Sequence, residues 1–261
     1  MLSGHTDVVP VTGQDWSVDP FRLTARGGRV YGRGTTDMKG FLAAMLSLSE
    51  RAAKQPLKQP LKLAFSWDEE LGCLGIPQML PALVGTIGPP ALCIVGEPTL
   101  MTLALGHKGK VALRAICHGI AGHSAMAPDF LNAIHLATDF VAELRGIQAD
   151  LATNGVRDTD YGIPYTTLHV GKIAGGTALN IVPDRAVVDF EFRFPANQPE
   201  SAIQTAIAEA ATRVAARYHA DHATARIELS QVNAYPGLAT RPDAPAVALL
   251  RRLVPGAAAA K

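Results

Sequence analysis

The spacing of apolar residues in the first hundred positions predicts strands that alternate with helices. Every second residue is apolar over 61–67, which predicts a strand with one buried face, and the unbroken apolar run 91–95 predicts a strand covered on both faces. Residues 1–4 indicate the end of another strand. Helical spacing recurs ahead of Pro56, at Met38, Phe41, Leu42, Met45 and Leu46. This alternation is typical of an α/β sheet.

A different order of elements begins near residue 109. Strands are predicted over 110–118, 164–170, 185–194 and 225–229, and helices over 129–146 and 201–218. The strand over 185–194 has the clearest pattern, since Val188, Phe190 and Phe192 alternate with charged residues. The resulting order, β-α-β-β-α-β, is that of a ferredoxin-like domain. A further amphipathic helix is predicted over 244–254.

Composition and charge narrow the functional classes. The 261 residues allow one or two domains, and 48% hydrophobic with 18% charged residues is typical of a folded globular protein. A formal net charge of +1 gives no global field that would attract nucleic acid or an acidic membrane. Prolines interrupt the longest uncharged stretch, 71–96, so it cannot be a membrane-spanning helix. We expect neither nucleic acid nor a membrane as a partner.

The three cysteines, Cys73, Cys93 and Cys117, form no CxxC pair, and their odd number argues against a disulfide framework. We interpret all three as small buried apolar side chains in a reducing compartment. The first residues lack the pattern of a signal peptide. A cytoplasmic location is therefore expected.

Acidic residues and one histidine follow the predicted strands of the first half. They are His5 and Asp7, Asp37 in the glycine-rich segment 32–40, the run Asp68, Glu69 and Glu70, and Glu97. Because ligands of open α/β sheets bind beyond the carboxyl ends of the strands, we expect these groups to converge. Converging carboxylates repel one another unless a cation neutralises them. One imidazole with several carboxylates suits zinc, cobalt or manganese.

Each of these motifs also has a purely structural interpretation. Asp7 can orient the ring of His5 as a metal ligand, or the two can be a turn histidine with a capping aspartate. The acidic run 68–70 can be a solvated turn or helix start, or it can offer one ligand and one general base. In the segment 32–40, Asp37 stands where a dinucleotide-binding G-x-G-x-x-G loop has its third glycine, which argues against nucleotide binding.

The ordered set of motifs resembles the M20 metallopeptidase and deacylase family. In the first half the matching segments are 4–10 (GHTDVVP), Trp16 with Pro20 and Phe21, 31–41 (YGRGTTDMKGF), 65–70 (FSWDEE) and 95–99 (VGEPT). In the second half they are 122–124 (GHS) with Pro128, 132–134 (NAI), 180–183 (NIVP) and 189–193 (DFEFR). Each motif is weak alone, but together they cover nearly the whole chain in the family's order.

The resemblance implies a zinc-peptidase-like α/β catalytic domain with an inserted ferredoxin-like (βαββαβ) dimerisation and lid domain. Applied to this sequence, it implies a catalytic metal-binding domain over 1–107, an inserted lid domain over 108–230 and a return to the catalytic domain over 231–261. The family's initial βα units are not seen, so we expect a fragment that lacks sequence at both ends. The implied partner is a second copy of the chain, which forms a homodimer through the lid domain.

The resemblance also implies amide hydrolysis with two divalent metal ions, zinc or cobalt. The implied ligands are His5, Asp37 and Glu97 for one ion, and Glu70 for the second, with Asp37 bridging the two. Glu69 is implied as the general base that takes a proton from water between the ions. Asp7 is implied as the residue that orients His5.

Substrate recognition is assigned to the second half by the same resemblance. It implies that His123 stabilises the oxyanion from the partner subunit, and that Asn180 and Arg193 bind a small N-acyl amino acid. The segments 65–75 and 106–110 (GHKGK) resemble acetylornithine deacetylases, so the implied reaction is hydrolysis of N2-acetyl-L-ornithine, a step of arginine biosynthesis. The alternatives are a succinyl-diaminopimelate desuccinylase, another N-acyl amino acid hydrolase or a carboxypeptidase.

One departure from the family concerns the second metal ion. The family supplies a histidine after the chain returns to the catalytic domain, whereas His219 and His222 come too early in this sequence. The missing ligand is expected beyond Lys261, and Ala125 stands where a serine is usual. A catalytically incomplete dimerisation module is therefore the alternative of another class.

Overall fold

The computed structural model describes residues 1–261 as a mixed α and β protein. The first hundred residues contain β1 (Leu2–His5), β2 (Thr24–Arg26), β3 (Arg29–Tyr31), α1 (Gly40–Ala52), β4 (Leu63–Ser66), α2 (Gly75–Ile87) and β5 (Ile94–Val95). The remainder contains β6 (Leu103–Ala104), β7 (Gly106–His107), β8 (Gly109–His118), β9 (Gly122–His123), α3 (Ala133–Asn154), β10 (Thr167–Gly175), β11 (Ile181–Val182), β12 (Arg185–Phe194), α4 (Glu200–Ala216), β13 (Arg226–Tyr235), β14 (Leu238–Ala239), α5 (Pro245–Leu253) and β15 (Ala259–Ala260). None of the helices is both long and apolar enough to cross a membrane.

The chain divides into two compact units, each with one principal sheet. The first unit consists of Met1–Leu103 and Asp243–Ala258, and the second of Ala104–Pro242 and Ala259–Lys261. The first holds a three-stranded parallel sheet, and the second holds a four-stranded antiparallel sheet. Parallel pairing gives the first unit one edge at which all three strands end, whereas antiparallel strands end alternately at both edges.

Strand β1 lies at the centre of the parallel sheet, between β4 and β5. Leu2 pairs with Leu63 on one side and with Ile94 on the other, so the three strands start in one register. The strands predicted over 61–67 and 91–95 are confirmed in shorter form. Residues that follow His5, Ser66 and Val95 therefore leave the sheet at the same edge.

Helix α1 packs closely on this sheet because two glycines leave room for it. A Cβ atom at Gly4 would lie 2.7 Å from Leu42 Cδ2, and one at Gly96 would lie 2.1 Å from Phe41 Cγ. The helix predicted from the apolar spacing is confirmed, although Leu46 is 56% exposed and does not belong to its buried face. A side chain at either glycine would push α1 away from the strands.

The second unit has the ferredoxin-like order predicted from the sequence. Its elements are β8, α3, β10, β12, α4 and β13, and its strands lie in the order β10-β12-β8-β13. Helices α3 and α4 cover one face, and the core between helices and sheet includes Val111, Phe140, Leu144, Phe192, Ile207 and Val214. The opposite face, here called the open face, carries the other residues of β8 and β12, among them Lys110, Arg114, Asp189, Glu191 and Arg193.

Both edge strands of this sheet contain a bulge. The register shifts in β10 between Val170 and Lys172, and in β13 between Gln231 and Asn233. Before the β13 bulge Ser230 pairs with open-face Arg114, and after it Tyr235 pairs with open-face Lys110. Because of the extra residue, the side chains of β13 that point to the open face are those of even-numbered residues before the bulge and of odd-numbered residues after it.

Several features differ from the sequence predictions. Helix α3 begins later and ends later than the predicted 129–146, and β13 extends to Tyr235, beyond the predicted 225–229. Helix α2 is not predicted, because it contains Pro77 and Pro81, but Pro77 lies in the first turn, where a missing N–H costs no helical hydrogen bond. Strand β10 begins and ends later than the predicted 164–170. Of the cysteines only Cys117 is buried, while Cys73 is partly exposed and Cys93 is exposed, so their common interpretation as buried side chains is wrong.

Candidate metal centre

His5 is the last residue of β1 and lies at the carboxyl edge of the parallel sheet. Its side chain is only 1% exposed. Its Nε2 atom lies 3.1 Å from Asp37 Oδ1 and 3.9 Å from Glu97 Oε1. Its Nδ1 atom lies 3.0 Å from the Asp7 carbonyl oxygen and 3.3 Å from Asp7 Oδ1. Carboxylates thus approach both ring nitrogens of one buried histidine.

A glycine-containing turn carries Asp37. Gly34 has a φ of 81°, and a Cβ atom there would lie 2.5 Å from Val8 Cγ1, so the turn requires glycine at this position. Asp37 itself is extended (φ −122°, ψ 98°) within the irregular helical turn Thr35–Lys39. The next residue, Met38, is fully buried, and its Sδ atom accepts a hydrogen bond from the His5 backbone N–H at 3.2 Å. These contacts fix the turn against β1 and bring Asp37 to His5.

The acidic run 68–70 forms a tight turn after β4. Asp68 adopts a left-handed conformation (φ 53°), and the Cys73 N–H donates to the Glu69 carbonyl oxygen at 2.9 Å. The Glu70 N–H donates to Asp7 Oδ2 at 3.0 Å. Asp7 therefore contacts His5 and the acidic turn together, which links the ends of β1 and β4.

Two groups of side chains have the composition of a metal site. The ligand atoms of His5, Asp37 and Glu97 all lie within 4.8 Å of one another, and so do those of His5, Glu69 and Glu70. His5 belongs to both groups. Glu69 and Glu70 both reach the histidine, whereas the family resemblance assigns the ligand role to Glu70 alone. The first unit thus gathers every residue that the sequence proposed for the metal centre.

The electrostatics of this edge fit a bound cation. Burial and the negative charge of Asp37 raise the pKa of Glu97 and of Glu70. Burial alone would lower the pKa of His5, but its hydrogen bond with Asp37 and the charge of Glu97 raise it. A divalent ion among these groups would relieve the repulsion between the carboxylates. Nitrogen and carboxylate donors without a thiolate ligand fit zinc or cobalt.

Asp7 differs from the other carboxylates of the edge. Burial would raise its pKa, but the backbone N–H groups of Glu70 and Glu69 lower it, so Asp7 is held as an anion. Its Oδ1 atom is buried without a hydrogen-bond partner, 3.3 Å from His5 Nδ1. A fixed anion beside one ring nitrogen is suited to orient a histidine whose other nitrogen binds metal.

Cys73 contacts the proposed general base, which the sequence did not predict. Its Sγ atom lies 3.6 Å from Glu69 Oε1, within range of an S–H hydrogen bond. Cys73 has a left-handed backbone (φ 60°) directly after Gly72 (φ 96°), and this sharp turn brings it back to Glu69. Gly72 is the one sequence signal that could have indicated such a turn.

His123 and Asn180 lie side by side in the second unit. Strands β9 and β11 pair with Ile181 opposite His123, and the Ser124 N–H donates to the Asn180 carbonyl oxygen at 3.0 Å. Both side chains are exposed. His123 Nδ1 accepts a hydrogen bond from the Ala125 N–H at 3.1 Å. Two of the three residues predicted to contact substrate are therefore neighbours.

Arg193 lies in the four-stranded sheet of the same unit, at the end of that sheet farther from His123. It pairs with Lys110 at the start of β8, whereas His123 follows the end of that strand. Arg185 pairs with His118 at the far end of β12, eight residues or about 26 Å from Arg193. One copy of the second unit therefore does not bring Arg193 next to His123.

Comparison with known sequences identifies related proteins. The profile of Peptidase family M20/M25/M40 matches residues 1–254. Acetylornithine deacetylase of Pasteurella multocida is 34% identical over 196 residues, which are 74% of this chain and 50% of that protein. Acetylornithine deacetylase of Erwinia tasmaniensis is 35% identical over 180 residues, which are 69% of this chain and 46% of that protein. The chain spans about half the length of these curated relatives.

Comparison with solved structures concerns the fold. The M20 family metallo-carboxypeptidase Sso-CP2 from Sulfolobus solfataricus superposes with a TM-score of 0.70 at 17% sequence identity, and the match covers 99% of this chain and 70% of that one. At this low identity the likeness is evidence for the fold alone. The predicted fold class, a zinc-peptidase-like α/β domain with an inserted ferredoxin-like domain, is confirmed.

Proposed function

This chain belongs to peptidase family M20/M25/M40, and from this we propose that it acts as a metal-dependent amide hydrolase that removes the acetyl group from N2-acetyl-L-ornithine, a step of arginine biosynthesis. The observation that carries the proposal is the buried His5, whose ring nitrogens face Asp37 and Asp7. The two curated relatives named acetylornithine deacetylase support the acetyl substrate.

We expect two divalent ions, zinc or cobalt, with His5, Asp37, Glu70 and Glu97 as ligands. When bound, the ions polarise the acyl carbonyl and lower the pKa of a water molecule. The Asp7 carbonyl oxygen, 3.0 Å from His5 Nδ1, keeps that nitrogen engaged, which leaves Nε2 as the ligand atom. Proton transfer and stabilisation of the oxyanion are proposed to be carried out by side chains of the protein.

Glu69 is proposed to take a proton from the attacking water and return it to the leaving amine. The turn after β4 holds its backbone, and Cys73 Sγ lies 3.6 Å from Oε1, so one carboxylate oxygen is oriented and the other is available. His123 is proposed to stabilise the oxyanion. Because its Nδ1 accepts from the Ala125 N–H, the proton of the neutral ring lies on Nε2, which can donate to an oxyanion.

The dimensions of the lid support a homodimer. Strand β12 places Arg193 about 26 Å from the end of the four-stranded sheet that precedes His123, farther than one amino-acid-sized substrate can span. A site that uses both Arg193 and His123 therefore takes them from two chains. This supports the proposal that His123 and Asn180 enter the site of the partner subunit.

The test combines metal content with matched substrates. The purified 261-residue chain is incubated with zinc, its bound metal is measured, and hydrolysis of N-acetyl-L-ornithine is compared with that of an N-succinyl amino acid. We expect bound zinc, loss of that zinc in His5→Ala, and faster cleavage of the acetyl substrate. Faster succinyl cleavage would contradict the proposed substrate. A folded dimer that binds no zinc and cleaves neither compound would favour a dimerisation module.

A further inference from the structure

The segment 106–110 (GHKGK) is fixed tightly at the start of the antiparallel sheet. A Cβ atom at Gly109 would lie 2.4 Å from Phe194 Cζ and 2.7 Å from the backbone nitrogen of Gly237, so only glycine fits. Lys108 Nζ donates to the Tyr165 carbonyl oxygen at 2.6 Å, which ties the segment to the loop before β10. Gly109 and Lys108 thus have structural roles in the segment. His107 and Lys110 contact residues of the open face instead.

Two side chains hold the Arg193 guanidinium on the open face. Arg193 Nε donates to Glu191 Oε1 at 2.9 Å, and Nη1 donates to the Tyr235 hydroxyl at 3.3 Å. An arginine has five N–H groups, so these two bonds leave three, one on Nη1 and two on Nη2. The remaining groups form the end of the guanidinium fork, which matches a carboxylate. The side chain is 45% exposed, so this end is accessible.

Lys110 and His107 contact the two residues that hold Arg193. Lys110 Nζ lies 3.3 Å from Glu191 Oε2, the oxygen that Arg193 does not use. The His107 ring packs edge-on against the Tyr235 ring, with 6.1 Å between centroids. Two cations, Lys110 and Arg193, therefore share the single carboxylate of Glu191, which leaves a net positive charge. We call the group the Arg193 cluster; it consists of His107, Lys110, Glu191, Arg193 and Tyr235.

The adjacent ion pair of the open face is arranged differently. Arg114 binds both carboxylate oxygens of Asp189, at 2.7 and 2.9 Å, so one cation is matched to one anion with two hydrogen bonds. In the Arg193 cluster, by contrast, the Glu191 carboxylate contacts two cations, and three N–H groups of the Arg193 guanidinium remain for a ligand. This difference favours an anionic ligand at Arg193 and not at Arg114.

We propose that Tyr235 and Glu191 are positioning residues, which hold the Arg193 guanidinium in the orientation that binds the carboxylate of an N-acyl amino acid. Lys110 fixes Glu191, and His107 fixes the Tyr235 ring. The inference rests on the proposed function, in which Arg193 binds the substrate, and it adds the two residues that orient the guanidinium.

The test measures binding of N-acetyl-L-ornithine and of its α-carboxamide, which lacks the carboxylate. The whole zinc-treated chain, labelled with 15N-arginine, is titrated with each compound by NMR. We expect the acid to bind more tightly than the amide and to move the Arg193 Nε–H signal. Tyr235→Phe keeps the ring against His107 but removes the hydrogen-bond acceptor, and we expect it to reduce the preference for the acid about tenfold.

Further variants separate positioning from a general loss of structure. Glu191→Ala should reduce the preference for the acid, and Glu191→Gln, which still accepts from Arg193 Nε, should restore most of it. Tyr218→Phe is the matched control, since it removes a hydroxyl that donates to Asp139 at 2.9 Å between α3 and α4. Its preference for the acid should equal that of the wild type.

Two outcomes would overturn the inference: a Tyr235→Phe chain with the full preference for the acid, or a wild-type chain that binds acid and amide equally. Hydrolysis is measured on the same samples. A chain that prefers the acid through Arg193 but hydrolyses no N-acyl amino acid would contradict the proposed function and still support the positioning role.

Discussion

Charged groups are arranged in opposite ways in the two units. In the first unit, burial and neighbouring carboxylates raise the pKa of Glu70 and Glu97. In the second unit, arginine partners lower the pKa of Glu143 and Asp189. The second unit neutralises its own acids, whereas the first gathers acids that need a cation from outside the chain. A cluster of like charges is thus a better indication of a binding site than a network of ion pairs.

The two units also differ in the size of their hydrophobic cores. The large cluster of buried apolar residues lies wholly within the second unit. The buried apolar residues of the first unit are few: Met38, Leu42, Met45, Ala64, Leu103 and Val247. The second unit is therefore expected to be stable without ligands, and the first is expected to gain stability when metal binds.

The largest expected effect is the loss of catalysis in Glu69→Gln. Glutamine keeps the size of the side chain but cannot accept the proton, so kcat should fall about 10²- to 10⁴-fold with zinc content unchanged. Asp68→Asn is the control, because asparagine tolerates the left-handed backbone at this position (φ 53°) and should leave kcat near that of the wild type. A Glu69→Gln chain with full kcat would exclude Glu69 as the general base.

The next effect is a loss of stability confined to the second unit. Phe192 is fully buried under α3 and α4, so Phe192→Ala should lower the free energy of unfolding by about 3–5 kcal/mol. Leu179 is fully exposed, and Leu179→Ala should change it by less than about 0.5 kcal/mol. Hydrogen exchange resolved by peptide measures each unit separately. Equal destabilisation of both units by Phe192→Ala would contradict their energetic independence.

Zinc should stabilise the first unit and leave the stability of the second unit unchanged. At about 100 times its dissociation constant, zinc should stabilise the first unit by about 2.7 kcal/mol, because it binds only the folded ligand set. Hydrogen exchange should slow in peptides that contain His5, Glu70 and Glu97, and a chelator should reverse the change. Exchange in α3, α4 and their sheet should not change. Protection confined to the second unit would show that zinc binds elsewhere.

The smallest effect is the pH dependence of the second unit. Hydrogen bonds from Arg213 and Arg217 hold the pKa of Glu143 below its ordinary value. The stabilisation is therefore complete above the pKa of the unfolded carboxyl, about 4.3, and is lost as the pH falls through the lower folded value. Glu143→Gln should lower stability at pH 7 by less than about 1 kcal/mol and flatten the decline at acid pH. Urea unfolding at a series of pH values measures both, and an unchanged acid decline in the variant would assign the effect to other carboxyls.

Sequence alone predicted the features that depend on local pattern or on a general rule of sheets. The alternation over 185–194 is confirmed as β12, and parallel pairing explains why His5, Glu70 and Glu97 meet at one edge. The Cys73 contact with Glu69 could not be predicted, because it depends on left-handed backbone in the turn after β4. Helix α2 was obscured by its prolines.

The open face was only partly predictable. Arg193 is assigned to it by alternation, but its partner Tyr235 is not, because the bulge in β13 has no marker in the sequence. The separation of Arg193 from His123 depends on which strands pair, which local pattern does not specify. Non-local pairing and backbone irregularity are thus the information that the structure adds.

The bulge at Val232 has a consequence for how this surface can change in evolution. The residue itself is 60% exposed and pairs with no residue of β8. Because Gln231 pairs with Leu113 and Asn233 with Ala112, deletion of this single codon would restore regular alternation and leave Tyr235 opposite Lys110 on the open face. Deletion of a second codon from the same segment would instead reverse the alternation and turn Tyr235 towards the helices. Relatives with and without the bulge can therefore both form the Arg193 cluster, and the pairing of Tyr235 with Lys110 identifies those that do.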